Sequence, residues 1–317
     1  MPTVRRPIVV IGEAVADAFV IRSEPDGGLD LHVRPGGSPA NTAVALGRLG
    51  TPTRFLGRLS RGVLGDALID HIGRSRVDVS GCVRTGAPAS LAIASLDVAG
   101  RAAYDFYVDG TADWGWTRDE LIERRPTGAV CVHAGSLALV LPPGGPLIED
   151  ALREARAWAT ISIDPNARPL LVAAETYRER LPRWLSLADI LRLSDEDLAT
   201  LMPGATIEQA FDAWHEAGVQ LAIITFGPRG AVASLRGARV SVPAAPVELA
   251  DTVGAGDSFT AGFLHWLERN DHLGGRLALL DLEHVGKAMS YAARVAAYTC
   301  SVRGADPPWA DQVGPGA

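Results

Sequence analysis

The sequence predicts an α/β sandwich built on a mostly parallel sheet, and three observations carry that prediction. Short apolar runs alternate along the chain with longer helical patterns. The runs are continuously apolar, as strands covered on both faces must be. The composition, 47% hydrophobic and 21% charged over 317 residues, suits a globular chain with a sizeable core. That length is about twice the roughly 150 residues usual for one domain. No linker, repeat or low-complexity tract divides it, and 1–317 is read as a single domain.

In chain order, the first strand is expected at 8–11, where Ile8-Val9-Val10-Ile11 is wholly apolar. A helix follows at 41–49 and a strand at 54–57. Further strands are expected at 130–133, 161–164, 190–193 and 222–225. Helices at 147–160 and 207–217 lie between them, and helices at 256–270 and 277–298 close the chain. In the first of those two, Phe259, Phe263, Trp266 and Leu267 keep a helical spacing. Two stretches break the rhythm. Residues 18–34 and 88–108 read as antiparallel strands, with Leu91, Ile93 and Ser95 on one face, a turn at Ala99-Gly100, and Tyr104, Phe106 and Val108 sharing a face of the return strand. They form either a small sheet projecting over the main one or an extension of it.

Charge and special residues exclude several functions. The net charge of −7, from 30 basic and 37 acidic residues, argues against a nucleic-acid or anionic-membrane partner. Lys287 is the sole lysine and lies in Val-Gly-Lys-Ala-Met, so there is no Walker A loop. Cys82, Cys131 and Cys300 lie far apart, which disfavours a disulfide framework or a cysteine-ligated zinc site, and no HxxxH pair exists. The start of the chain does not read as a signal peptide, and no apolar run approaches the ~18 residues of a membrane span. A reducing cytoplasm is the expected location.

Two segments carry chemistry. In Asp251-Thr252-Val253-Gly254-Ala255-Gly256-Asp257-Ser258-Phe259, small residues open a helix and leave backbone N–H groups free to hold an anion. Asp257 falls in the first turn, beside that anion. A carboxylate there makes sense if it takes a proton from an attacking hydroxyl while the amides hold a transferring phosphoryl group. Otherwise it is a first-turn acid that stabilises its own helix. In Pro35-Gly36-Gly37-Ser38-Pro39-Ala40-Asn41, the double glycine permits close approach of a ligand. Asn41 offers a donor and an acceptor to a sugar hydroxyl, or else caps the following helix.

Together, in this order and separation, the two segments resemble the paired signatures of the PfkB carbohydrate kinases, the ribokinase/fructokinase-like family, over about Ile8 to Ala305. The resemblance implies a ribokinase-like three-layer α/β/α sandwich with a small antiparallel β-sheet lid at about 18–34 and 88–111. It also implies transfer of the ATP γ-phosphate to an alcohol with Mg²⁺, and K⁺ at a monovalent-cation site around Asp251. Carried over by position, Asp257 matches the catalytic base, and Gly254, Ala255 and Gly256 match the anion hole. Asp17, Gly37 and Asn41 match sugar contacts, Phe106 would face the sugar from the lid, and Arg168 in Asp164-Pro165-Asn166-Ala167-Arg168 would face sugar or phosphates. Thr225, Gly227 and Gly230 match the nucleotide loop. The family's Asn-x-x-Glu is here Ser194-Asp195-Glu196-Asp197, which keeps Ser194 and Asp197 as nucleotide-side candidates. Ala293 stands where some members place an adenine-contacting histidine or asparagine.

The expected function is therefore an ATP-dependent sugar kinase, most like a fructokinase, acting on a small-molecule sugar and arranged as a homodimer through the lid. The alternatives are ketodeoxygluconate kinase, ribokinase or nucleoside kinase, with Arg101 and Arg168 the arginines in reach of a keto-acid carboxylate. From another class, a non-catalytic sugar-binding protein on the same fold is the rival; Asp257 with its glycine run argues against it.

Overall fold

The computed structural model describes residues 5–23, 27–96 and 102–314. Its central sheet contains β1 (Ile8–Ile11), β4 (Thr53–Leu56), β9 (Cys131–Gly135), β10 (Thr160–Asp164), β11 (Ile190–Ser194), β12 (Leu221–Thr225), β13 (Ala231–Leu235) and β14 (Ala238–Val242). The order across is β14-β13-β12-β11-β10-β9-β1-β4. From β4 to β12 every pairing is parallel; β13 and β14 add an antiparallel edge.

Successive side chains of a strand point to opposite faces, and this sheet buries both. Val9 and Ile11 enter one core with α3 (Arg118–Glu123), α4 (Gly144–Ala155), α5 (Ala174–Leu187), α6 (Asp195–Leu201) and α7 (Ile207–Glu216). Ile8 and Val10 enter the other with α1 (Ser38–Arg48), α2 (Val63–Arg74), α8 (Ala255–Arg269) and α9 (Leu282–Cys300). A short α10 (Ala310–Val313) follows, and β5 (Arg58–Ser60) pairs with β6 (Val83–Thr85) beside the main sheet. The expected three-layer sandwich is present. Among the described residues no helix is long and apolar enough to cross a membrane.

Two helix limits depart from expectation by five residues. The helix expected to reach 160 ends at Ala155, because Thr160-Ile161 pair with Cys131-Val132 as β10. The last long helix starts at Leu282 rather than 277. Leu277 takes a left-handed φ of 58°, closed to a helix start, and Asp281 caps the helix by accepting from His284 N–H at 2.9 Å.

The stretches that broke the rhythm form a separate four-stranded sheet, not an extension of the central one. Its strands are β2 (Val15–Ser23), β3 (Leu29–Gly36), β7 (Leu91–Leu96) and β8 (Ala102–Tyr107), in the order β3-β2-β7-β8. Each pair is an antiparallel hairpin, and β2 meets β7 in parallel. The expected turn at Ala99-Gly100 and the candidate Arg101 lie outside the described residues.

Buried carboxylates bind the root of this small sheet. Asp113, just after β8, accepts from Ala14 N–H (3.1 Å) before β2 and from Ser90 Oγ (2.7 Å) before β7. Glu13 accepts from Ala138 N–H at 3.1 Å on the far side of β1. Burial pushes Glu13 up to about 7 and Asp113 to about 6. A carboxyl raised in the folded state keeps a proton that the unfolded chain gives up, so stability falls as pH rises through the window. For Glu13 that window runs from 4.5 to about 7. Glu13→Gln should make the fall shallower there, as read by urea unfolding across that range; curves that stay parallel to wild type would show that Glu13 does not titrate in the window.

Candidate active site

Parallel strands end together, and ligands of open α/β sheets bind beyond their carboxyl ends. Here that edge gathers Glu13, Asp164, Ser194 and Thr225. Against it lie the N-termini of α1 and α8, which bring the two sequence motifs together.

Asp257 lies in the first turn of α8, buried. Ser38 Oγ donates to its Oδ1 at 2.6 Å and Asn41 Nδ2 to its Oδ2 at 2.8 Å. Burial raises its pKa; the two hydrogen bonds oppose the rise, Asp164 adds to it and Arg168 offsets part. Asn41 is therefore not the helix cap, since α1 begins at Ser38 after Gly37, and its amide is committed to holding Asp257. Gly37 needs its left-handed φ of 96°, and a Cβ there would stand 2.9 Å from Glu13 O and Val15 N.

The helix start is shaped for close approach. Gly254 caps α8 with φ 76°. A first-turn N–H has no acceptor within its helix. Ala255 N–H turns back to Thr252 O at 3.2 Å, so the open amides of this turn are those of Gly256 and Asp257. A Cβ on Gly256 would lie 2.8 Å from Arg192 Nη1.

Arg192 is the residue the sequence patterning did not single out. It is buried on β11, donating from Nη1 to Asp164 Oδ2 (2.8 Å) and from Nη2 to Thr225 Oγ1 (2.6 Å). Its guanidinium thus sits under the α8 turn and ties three strands to it. The one available signal was a charge inside an otherwise apolar strand, Ile190-Leu191-Arg192-Leu193. Ser38 was likewise unassigned.

Asp17, on β2, is pushed up to about 6 by burial, with Arg168 opposing and Asp257 adding to the rise. Asp17, Asp257 and Arg168 therefore share one electrostatic neighbourhood. Arg168 is exposed; its backbone N–H donates to Tyr177 Oη at 3.0 Å. The register aligns Asp17 with Ala92 and Ala92 with Phe106, so Phe106 shares the face of Asp17, stacked 5.8 Å from Tyr104.

The remaining candidates are placed as follows. Ser194 and Asp197 form a reciprocal cap on α6, and the other Asp197 oxygen accepts from Ala167 N–H at 2.8 Å. The shorter acid in place of glutamate thus braces the loop that carries Arg168. Gly227 (φ 54°) stands in open space, and Gly230 (φ 90°) packs so closely that a Cβ would lie 2.2 Å from Val242 O. Asp251 accepts from Val253 N–H (3.1 Å) and Gly304 N–H (2.8 Å), stitching the loop before α8 to the segment after α9. Ala293 is partly buried against the α8–α9 core.

Removing Arg192 would strand the buried Asp164 carboxylate. Arg192→Met should destabilise the fold by about 3–5 kcal/mol, the usual effect of breaking a buried ion pair. Denaturant titration would show it; a loss below about 1 kcal/mol would mean the pair resembles a solvated one.

Comparison with known proteins agrees with this geometry. The family described as pfkB family carbohydrate kinase matches residues 5–312. A fructokinase from Rhizobium leguminosarum bv. trifolii is 35% identical over 278 residues, 86% of this chain and 84% of its own. The crystal structure of a fructokinase with bound ATP from Xylella fastidiosa superposes with a TM-score of 0.89 at 29% identity, covering 98% of this chain and 97% of that one. A Vibrio cholerae O395 fructokinase, solved with fructose, ADP and calcium, gives a TM-score of 0.79 at 25% identity, with 95% and 94% covered. With its two motifs meeting at one carboxylate and the match running almost end to end, this chain belongs to the pfkB family of carbohydrate kinases.

Proposed function

We propose that this carbohydrate kinase transfers the γ-phosphoryl group of ATP to a hydroxyl of fructose, with Asp257 as the base. The observation that carries the reading is the Asp257 carboxylate, held by Ser38 and Asn41 next to the open amides of Gly256 and Asp257. A base fixed through both oxygens keeps its remaining lone pairs aimed at one place. The sugar hydroxyl gives its proton to Asp257 as its oxygen attacks phosphorus, and the helix amides hold the charge on the moving phosphoryl group. The fructokinase relatives supply the choice of sugar and point away from the keto-acid and nucleoside alternatives.

Asp17 accepts hydrogen bonds from sugar hydroxyls, with Gly37 bringing backbone close and Phe106 covering the sugar from the small sheet. That sheet, its strands β2, β3, β7 and β8 acting as a lid, excludes water that would otherwise take the phosphate. Its opposite face exposes Leu31, Val33 and Tyr107, which suits pairing of two lids in a homodimer. Thr225, Gly227 and Gly230 line the nucleotide side, with Ser194 and Asp197 shaping the adjoining loop.

Among the described residues no group of three or more His, Cys, Asp or Glu is arranged to hold a metal. Asp164 and Asp197 are already committed to internal bonds. A Mg²⁺ would arrive on the ATP phosphates, and the chemistry it would supply is neutralisation of phosphate charge. K⁺ would sit near the loop stitched by Asp251, through backbone carbonyls.

Asp257→Asn should lower turnover by about 10²–10⁴-fold, the usual worth of a positioned base, with sugar and ATP binding nearly intact. Turnover within a few-fold of wild type would remove Asp257 from that role. For Asp17 the sign is fixed by its acceptor duty. Since it accepts best when ionised and is raised to about 6, kcat/KM for fructose should fall as pH drops below about 6. Asp17→Ala should raise the fructose KM far more than the ATP KM and leave only the acid limb that Asp257 sets; an unchanged fructose KM would place Asp17 outside the sugar site.

A further inference from the structure

Arg34 has no part in the expected site, yet it stands at the seam between the lid and the α8 turn. The hairpin register pairs it with Asp17, so both project from the same face of the small sheet. On its own strand it lies two residues from Gly36, whose Cβ would strike Asp17 Oδ2 at 2.0 Å, which fixes that face as the one turned to the site. The Arg34 side chain packs against the segment after α9. It lies along Gly304, with Cδ 3.4 Å and Nη1 3.5 Å from where a Cβ would be. Gly304 (φ 78°) is followed by Ala305, and Ala305 closes on Gly254, the cap of α8. One chain of contacts thus runs from the lid arginine to the amide turn.

The guanidinium is exposed and makes no hydrogen bond or ion pair with any described residue. Most other arginines on this surface are spent on carboxylates, such as Arg54 on Asp78 and Arg229 on Asp195. Guanidinium groups bind phosphate oxygens through paired N–H donors, so an uncommitted one beside an amide turn is suited to an anion. We infer that Arg34 is a lid-borne contact for the phosphoryl group, engaging its oxygens during transfer and on the sugar phosphate product. Asp17 then reads the neutral sugar while its cross-strand neighbour reads the charge, so one hairpin senses both substrates.

The inference rests on the transfer reaction proposed above, so the wild-type chain is assayed first with ATP and fructose. Should another sugar prove to be the substrate, the comparison is made on that sugar, and the inference about Arg34 is still tested. Arg34→Gln and Arg34→Lys are then compared in steady state, with product inhibition by the sugar phosphate measured alongside. Arg34→Gln should lower kcat about 10–100-fold and weaken product inhibition about tenfold, with the sugar KM within about threefold, in line with loss of a charged donor to the transferring group. Arg34→Lys should recover much of both losses, and it carries the test alone should the Gln variant fail to fold. Unchanged kcat and product inhibition would overturn the inference. A raised sugar KM at constant kcat would overturn it too, by showing that Arg34 reads the sugar.

Discussion

The structure depends on a buried carboxylate held from both sides. Asp257 comes from α8 near the end of the chain, and Ser38 and Asn41 come from α1 near its beginning. Burying a charge is costly unless donors replace the water it loses. The donors here do so only in part, because burial still wins and the pKa stays raised. In the proposed role of base, a carboxylate reluctant to stay ionised has a stronger drive to take a proton when a hydroxyl is presented. The same two bonds lock α1 against α8, so the geometry of the proposed base and the packing of one layer are a single constraint.

The surrounding architecture keeps that constraint in place. Parallel strands deliver their carboxyl ends to one edge, and Arg192 binds three elements there without surfacing, through Asp164, Thr225 and the bare Cα of Gly256. On the other side, Asp113 gathers the entries of β2 and β7 and the exit of β8 around one carboxylate. The small sheet is therefore firm at its root, while Ile21 and Leu29 stay exposed towards its far end. That division suits the lid proposed above, which would meet the sugar in register and still open.

Much of this was legible in the sequence because it depends on local signals. Continuous apolar runs mark the parallel strands, and the small-residue run before Asp257 marks a helix start with open amides. Of the five described helices that escaped notice, α3, α6 and α10 are short, and the two longest had weaker signals. In α5, Pro182 and a high charge density interrupt the periodicity, although Tyr177, Leu181 and Trp184 do face the core. In α2, glycines around the start obscure an apolar stripe of Leu68 and Ile72. What could not be read were pairings across the fold. Nothing near Ser38 announces a partner at 257, and Arg192 resembled a stray charge until the sheet placed Asp164 beside it. Asn41 drew attention for its position, but nothing in the sequence showed that its amide donor would be held by Asp257.

The central claim is that the sugar hydroxyl and the Asp257 carboxylate meet at the open amides of α8. The most direct measurement is a crystal structure of the wild-type chain with fructose and a non-hydrolysable ATP analogue. The account predicts one fructose hydroxyl within hydrogen-bond reach of Asp257, about 2.6–3.2 Å. Other hydroxyls should lie on Asp17, and the terminal phosphate should face the Gly256 and Asp257 amides. Fructose bound with Asp257 out of reach of every hydroxyl, and its Ser38 and Asn41 bonds unchanged, would contradict it.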